Sequence, residues 1–261
     1  MEIKNNLRIT LAQVDLIWEN PGQNRLDLEI QIRQLAGKSD LVILPETFTT
    51  GFSMRVCDLA EPMDGSTINW LLNLSQTTGL AIGGSLLIRD NDLYYNRFVF
   101  ITPSGEISFY DKRHLFSLGG ESNSFTPGDQ RLIVNYLGWR IALYVCYDIR
   151  FPVWCRNVND TDLMIFTANW PASRSKVWKI LLKARAIENQ VYVAGVNRVG
   201  TDGNGISYLG ESQLINLHGD RLPETNLTNS ELITYEISKK ELNDFRVKFP
   251  VANDADRFLI I

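Results

Sequence analysis

Three residues that could do chemistry stand directly after apolar runs typical of β-strands. Cys146 ends the run ALYVC, Glu46 follows LVILP, and Lys112 follows the aromatic segment FYD. Rigid strands hold the residues at their ends in fixed positions, so catalytic groups are often found there. Taken singly, each has a plainer interpretation: Cys146 as a small core residue, Glu46 as a cap or surface charge, and Lys112 as solvated surface.

Together the three residues are a complete set for nucleophilic catalysis by a thiol. A thiol with a pKa near about 8.5 is only slightly ionised at neutral pH, so it needs a base or a nearby cation. The two histidines, His114 and His218, do not stand beside acidic partners in a persuasive Cys–His–Asp arrangement. A carboxylate can replace imidazole when burial raises its pKa. A nearby lysine would lower the thiol pKa and stabilise the oxyanion of a tetrahedral intermediate.

The bulk composition narrows the class of protein. The chain has 261 residues, of which 44% are hydrophobic and 21% are charged, and this is typical of a globular protein. A net charge of -4 argues against a nucleic-acid partner. Three cysteines without C-x-x-C spacing support neither a disulfide framework nor a zinc site. Without a signal peptide or an apolar run near roughly 20 residues, we expect a cytoplasmic protein with no membrane partner.

Short apolar runs alternate with helical patterns along the chain, and no linker or repeat divides it. Strands are predicted over residues 7–14, 41–44, 80–88, 98–101, 140–146, 163–167, 191–196, 212–217 and 232–237. Helices are predicted over 22–35, 67–74 and 173–190, the last with Val177, Ile180, Leu181, Ala184, Ile187 and Val191 on one face and Lys and Arg on the other. This mixture favours an α/β fold with helices packed outside two sheets.

The blocks LVILPET, YDKRHLF and CYDIRFPVW resemble, in the same order, the three catalytic blocks of the nitrilase (carbon-nitrogen hydrolase) superfamily. Further blocks, ANWP, KARAIENQVYVAGVNRVG, GES and KFPVANDAD, resemble the bacterial omega-amidase branch, which hydrolyses the terminal amide of 2-oxo acid monoamides. The resemblance extends over nearly the whole chain. It implies a single domain over 1–261, with a four-layer αββα sandwich that pairs into αββα–αββα dimers.

The resemblance also implies a role for each matching residue. Glu46 is the general base, Lys112 the oxyanion stabiliser and Cys146 the nucleophile. Glu121 matches a second glutamate that orients the lysine and the substrate; the plainer alternative is an exposed loop charge. The backbone N–H of Tyr147 is the second oxyanion donor. The reaction needs no metal and no cofactor.

Substrate-binding residues are predicted around the same site. Arg150 matches a substrate-binding arginine, and a guanidinium pairs well with a carboxylate; the alternative is a salt bridge with Asp148. Phe116, Asn169 and Trp170 are predicted to line the pocket, with plain core packing as the alternative for Trp170.

The resemblance implies an amidase that acts on 2-oxoglutaramate or 2-oxosuccinamate through a cysteine thioester. Three alternatives stay open: an amidase acting on deaminated glutathione or an N-carbamoyl compound, a nitrilase proper, and a non-catalytic interaction protein with the same fold. A thiol redox protein is disfavoured because there is no resolving cysteine at C-x-x-C spacing. A homodimer is also predicted, in which the partner would bury apolar residues of the C-terminal segment: Phe245, Phe249, Phe258, Leu259, Ile260 and Ile261.

Overall fold

Two large β-sheets face each other in the computed structural model, which describes residues 3–223, 232–256 and 258–260. The strands, numbered along the chain, are β1 (Asn6–Ala12), β2 (Leu41–Ile43), β3 (Ala81–Asp90), β4 (Leu93–Ile101), β5 (Ile107–Asp111), β6 (Ile133–Tyr136), β7 (Trp139–Val145), β8 (Leu163–Ala168), β9 (Tyr192–Asn197), β10 (Val199–Thr201), β11 (Ser207–Leu209), β12 (Gln213–Ile215) and β13 (Leu232–Ser238). The first sheet has the order β13-β1-β2-β3-β4-β5, the second β12-β9-β8-β7-β6, and β10 pairs with β11.

Parallel pairing is confined to the centre of each sheet. β2 runs parallel to β1 and β3, and β8 runs parallel to β7 and β9, whereas the outer strands pair antiparallel. β3 and β4 form a hairpin, since they pair antiparallel from Ile82–Ile101 to Asp90–Leu93. The central strands are buried on both faces, which explains their continuous apolar runs.

Side chains that alternate along the strands divide the apolar core in two. Leu7, Ile9 and Leu11 of β1 belong to the core that also contains the strands of the second sheet. Val42 and Ile82 belong to the core on the other side of the first sheet. Because successive side chains on a strand point to opposite faces, one sheet can contact the other sheet and a helical layer at once.

Helices cover the outer face of each sheet. The helices are α1 (Pro21–Arg33), α2 (Val56–Leu59), α3 (Ser66–Thr78), α4 (Glu121–Ser124), α5 (Ser175–Asn189) and α6 (Lys239–Lys248), of which α1, α3, α5 and α6 form the outer layers. Apolar residues of α1 and α3 pack in the outer core of the first sheet, and those of α5 and α6 pack with the second sheet. The predicted αββα architecture is therefore confirmed. Within the described ranges, no helix is both long and apolar enough to cross a membrane.

The apolar face predicted for α5 is only partly buried: Val191 is buried and Val177 and Leu181 pack against the core, but other members of the face are exposed. Trp178 and Leu182 are fully buried, whereas Ile180 and Ile187 are each 54% exposed. The helix carries apolar side chains on two faces, and the buried face also includes Arg185, whose Nε donates to the backbone oxygen of Ile149 at 2.9 Å. A pattern that places every arginine outside therefore selects the wrong face.

The homodimer stays a prediction. The exposed residues Ile180 and Ile187 of α5 add to the exposed apolar residues Phe249, Phe258, Leu259 and Ile260 near the C-terminus, while Ile261 lies outside the described residues.

The elements β5, β6, β10, β11 and α6 were not predicted, because they are short or mostly polar and lack a long apolar run.

Asp162 joins the second sheet to α6. Its side chain is fully buried and accepts hydrogen bonds from Arg140, Lys239 and Arg246. It also accepts the backbone N–H of Arg140 at 2.9 Å. Burial alone would raise the pKa of Asp162, but the hydrogen bonds from Arg140 and Lys239 lower it to about 2.

Replacing Asp162 by Asn should lower the free energy of unfolding by about 2 kcal/mol at pH 7. The folded pKa lies below the unfolded value of about 3.9, so this stability is present above pH 4 and is lost as the pH falls towards 2. Urea unfolding at pH 7 and pH 3 measures both effects, with the exposed Asp129→Asn as the matched control. Equal stability of Asp162→Asn and wild type at pH 7 would contradict this account.

Candidate active site

Cys146 sits at a sharp reversal of the backbone. It follows β7 directly and begins the short 3-10 helix Cys146–Arg150, with a φ of 44°. Residues other than glycine rarely adopt this left-handed region, and strained positions of this kind cluster at functional sites. Thr47, immediately after Glu46, has the same φ of 44°. Both predicted reactive side chains are therefore presented at abrupt ends of apolar runs.

The four predicted catalytic residues lie together, and their charged groups are buried. The ammonium of Lys112 is 2.9 Å from Oε1 of Glu46 and 2.8 Å from Oε2 of Glu121. Glu46 and Glu121 are both fully buried, so the interpretation of Glu121 as an exposed loop charge is wrong. The Cys146 thiol lies close enough to Glu46 for the charge of this carboxylate to raise the thiol pKa. A thiol, a carboxylate and an ammonium thus share one closed environment.

Glu121 also organises the loop that precedes it. It is the first residue of α4, directly after Gly120, whose φ of 82° only glycine adopts readily. Its Oε2 accepts the backbone N–H of Phe116 at 2.7 Å. The same carboxylate therefore fixes Lys112 and the backbone at Phe116, which is predicted to line the pocket.

Two asparagines complete the surroundings of Glu46. Asn169 donates its backbone N–H to Oε2 of Glu46 at 2.8 Å and its Nδ2 to the backbone oxygen of Glu46 at 2.8 Å. Asn96 donates Nδ2 to Oε1 of Glu46 at 2.8 Å. Asn169 was predicted only as a pocket residue, and Asn96 was not predicted at all. The available signal for Asn96 was a polar residue of low β propensity in the middle of the run LYYNRFVF.

Burial and charge raise the pKa of Cys146. Desolvation has the largest effect and Glu46 adds to it, while Lys112 acts in the opposite direction. The expected lowering of the thiol pKa by lysine is therefore present but outweighed. Burial alone would lower the pKa of Lys112, but Glu121 and Glu46 outweigh it and raise this pKa. The resting site accordingly holds a neutral thiol and a charged lysine, so the attacking thiol needs a base.

His114 does stand beside an acid in space. Its Nδ1 lies 2.8 Å from Oδ1 of Asp148, and its ring stacks on Phe151 with centroids 3.7 Å apart. The sequence did not show this pair because the two residues are 34 positions apart. The groups that perturb the Cys146 thiol are Lys112 and the two glutamates, so a carboxylate is the base the geometry offers.

A cavity of about 510 Å³ opens onto Glu46, Lys112 and Cys146. All the predicted substrate-binding residues line it, namely Phe116, Arg150, Asn169 and Trp170, and so does Tyr147, the predicted oxyanion donor. Trp170 is also core, because it is only 4% exposed and its ring lies 5.4 Å from that of Trp178. The size is within the range of about 300–1,000 Å³ typical of small-molecule sites.

The oxyanion role of Tyr147 stays a prediction that fits its position. Tyr147 is the second residue of the helix Cys146–Arg150, and the first N–H groups of a helix have no intrahelical acceptor. Its ring packs edge-on against Phe116 at 5.2 Å.

Two guanidinium groups at the cavity have no carboxylate partner within the described ranges. Arg150 lies over the ring of Trp170 at 5.1 Å, and Arg174 lies over the ring of Phe116 at 5.2 Å. The alternative salt bridge from Arg150 to Asp148 is not formed in the structure, since the Asp148 oxygens bind Tyr110 and His114 instead. The cavity therefore carries positive charge available to a ligand.

Comparison with known proteins identifies the family. The model of the carbon-nitrogen hydrolase family matches residues 8–247. The chain belongs to the carbon-nitrogen hydrolase family. This hydrolase is 44% identical to omega-amidase YafV of Escherichia coli (strain K12), covering 97% of the chain and 98% of that protein. It is 32% identical to 2-oxoglutaramate amidase of Bacillus subtilis (strain 168), covering 94% of the chain and 96% of that protein.

Solved structures agree with the fold of this hydrolase. It superposes with a TM-score of 0.95 on XC1258 of Xanthomonas campestris, a CN-hydrolase superfamily protein with an arsenic adduct in its active site. Sequence identity to that protein is 45%, and the match covers 99% of this chain and 100% of that one. Nit3 of Saccharomyces cerevisiae, 22% identical with a TM-score of 0.84 over 95% of this chain and 96% of that one, shares the fold. The predicted superfamily, the omega-amidase resemblance and the prediction of a carbon-nitrogen hydrolase are confirmed.

Replacing Glu46 by Gln should make the Cys146 thiol more acidic and the enzyme inactive. The negative charge of Glu46 raises the thiol pKa, so its removal should shift the midpoint of Cys146 alkylation by iodoacetamide to lower pH. Turnover should fall at least about 100-fold because the base is lost. Peptide mass spectrometry distinguishes Cys146 from the exposed Cys57 and the buried Cys155, which serve as internal controls. An alkylation midpoint that stays in place or moves to higher pH would contradict the proposed contact.

Proposed function

We propose that the protein hydrolyses the terminal amide of 2-oxo dicarboxylic acid monoamides, 2-oxoglutaramate and 2-oxosuccinamate, to the acid and ammonia. The observation that carries this proposal is the Cys146 thiol next to a buried carboxylate and a buried ammonium, at a cavity where Arg150 and Arg174 have no carboxylate partner among the described residues. The similarity to omega-amidase YafV and to 2-oxoglutaramate amidase supports the same substrate class.

In the first half of the reaction, Glu46 takes the thiol proton as the sulfur of Cys146 attacks the amide carbonyl. Glu46 and the thiol line the same cavity, and the carboxylate is near enough to raise the thiol pKa, so it is placed to act as the base. Lys112 and the backbone N–H of Tyr147 then stabilise the oxyanion of the tetrahedral intermediate. Glu121 supports this step by keeping the ammonium charged and in place, with hydrogen bonds of 2.9 and 2.8 Å.

In the second half, protonated Glu46 gives its proton to the departing ammonia, and a thioester remains on Cys146. Glu46, again a carboxylate, then takes a proton from a water molecule that attacks the thioester. The tetrahedral intermediate collapses, the acid leaves, and Cys146 recovers its proton from Glu46. One carboxylate therefore serves both halves, which requires it to be held firmly; Lys112, Asn96 and Asn169 donate to it.

The carboxylate of the substrate would bind the guanidinium groups. A guanidinium offers two parallel N–H donors to a carboxylate, and here the aromatic rings of Trp170 and Phe116 hold Arg150 and Arg174 in place. Neutral aliphatic amides would lack this interaction. The cavity of about 510 Å³ is roomy for a five-carbon monoamide, and this observation favours deaminated glutathione as the second candidate substrate.

Purified enzyme should release ammonia from 2-oxoglutaramate or 2-oxosuccinamate, and Cys146→Ala should abolish this activity. The assay is ammonia release over a panel that also contains deaminated glutathione, an N-carbamoyl amino acid and an aliphatic nitrile. Turnover of only a nitrile or carbamoyl compound would contradict the substrate class. Full activity of Cys146→Ala would contradict the mechanism.

Replacing Arg150 by Lys should raise KM for 2-oxo acid amides about tenfold and change KM for a neutral aliphatic amide much less. The expected factor corresponds to about 1.4 kcal/mol, the loss of one bidentate contact to a carboxylate. Arg55→Lys is the matched control, because Arg55 also lines the cavity but is already bound to Glu19 and Asp58. An equal change in KM for both amides would contradict the proposal that Arg150 binds the substrate carboxylate.

A further inference from the structure

Asn96 connects the two buried glutamates through a single amide nitrogen. It lies on β4, is 1% exposed, and its Nδ2 is 2.8 Å from Oε1 of Glu46 and 3.0 Å from Oε1 of Glu121. The ammonium of Lys112 is 2.9 Å from each of the same two oxygens. Two donors and two carboxylate oxygens thus form a closed ring, in which each donor contacts both oxygens.

The electrostatics of the site determine the orientation of the Asn96 amide. A flipped amide would place its oxygen against two carboxylates, so the nitrogen must face them. In this orientation Oδ1 is buried without a hydrogen-bond partner in the described part of the chain. An unsatisfied buried acceptor is unfavourable by about 1–3 kcal/mol. In return, the amide nitrogen of Asn96 donates to both carboxylates, Glu46 and Glu121.

Two carboxylates in one closed site tend to share a proton. Burial raises the pKa of Glu121, Lys112 opposes this, and the charge of Glu46 raises it further. A shared proton would neutralise the base needed to activate the thiol, because paired carboxylates titrate as a unit. Lys112 opposes this sharing through its positive charge and its hydrogen bonds, and Asn96 opposes it by donating to both carboxylates.

We propose that Asn96 is a positioning residue that holds Glu46 and Glu121 apart and ionised, so that Glu46 is unprotonated when turnover begins. This inference rests on the proposed role of Glu46 as the base. Asn96 also fixes the lysine, because its backbone oxygen accepts the N–H of Lys112 at 3.0 Å. It acts through the two glutamates to which its amide donates.

The test is the pH dependence of kcat/KM for Asn96→Ala and Asn96→Ser. Loss of a donor to the ionised pair raises the pH at which the pair takes up a proton, so the acidic limb should move upward by about one pH unit in Asn96→Ala. Asn96→Ser keeps one donor and should show a smaller shift. Both variants should recover most of the wild-type rate on the alkaline side of the shifted limb.

Asn189→Ala is the matched control, because Asn189 is a buried, hydrogen-bonded asparagine of α5 that does not line the cavity. Its acidic limb should coincide with that of wild type. An equal loss of rate at every pH in Asn96→Ala would show a merely structural role and overturn the inference, as would an unchanged profile.

If Asn96→Ala does not fold, the acidic limb of Asn96→Ser is the test: a limb moved to higher pH supports the inference, and an unshifted limb overturns it. Cys146→Ala in the same assay separates the two hypotheses. An inactive Cys146→Ala with unshifted Asn96 variants rejects only the role of Asn96, whereas an active Cys146→Ala rejects the proposed mechanism itself.

Discussion

Lys112 is a buried cation between two buried carboxylates, and the chemistry of the site depends on this arrangement. Removing three charges from water is costly, and it is offset only when geometry is close and the remaining hydrogen bonds are made. Here Asn96 supplies a second donor to both carboxylates. The burial that makes this cluster costly also raises the pKa of the neighbouring Cys146 thiol. A neutral thiol has to lose its proton during attack, and Glu46 is the carboxylate with the larger effect on the thiol pKa. The need for a base and the presence of a buried cation are therefore consequences of one closed environment.

The candidate catalytic residues could be proposed from the sequence because Glu46 and Cys146 stand where apolar runs end, and Lys112 follows an aromatic segment. A thiol without a useful histidine then demands a carboxylate and a cation. The layered α/β fold followed from continuous apolar strands mixed with helical patterns. The role of Asn96 could not be predicted, because it comes from contacts with Glu46 and Glu121, which lie 50 and 25 positions away in the sequence. The buried face of α5 could not be predicted for a different reason: apolar side chains occupy two of its faces, and only the packing of Trp178 selects the buried one.

The cavity contains positive charges that no carboxylate of the described residues binds. Most charged groups at the cavity have partners: Arg55 is bound by two carboxylates, and Asp202 accepts the hydroxyl of Tyr208. Arg150 and Arg174 are different, because aromatic rings hold their planes while no carboxylate of the described chain binds them. A ligand carboxylate would complete this set without any rearrangement of existing ion pairs. The amide would then extend towards the thiol, and the spare volume of the cavity sets how large the rest of the substrate can be.

The central claim is that the substrate acyl group becomes covalently attached to the sulfur of Cys146. Acid quenching during turnover of 2-oxoglutaramate, followed by peptide mass spectrometry, measures this directly. The account predicts a mass increase of one substrate acyl group, located on the peptide that contains Cys146 and absent from Cys57 and Cys155. The adduct should disappear when the substrate is exhausted. Continued ammonia release with no adduct on Cys146 at any quench time, or with an acyl group on another residue, would contradict the account.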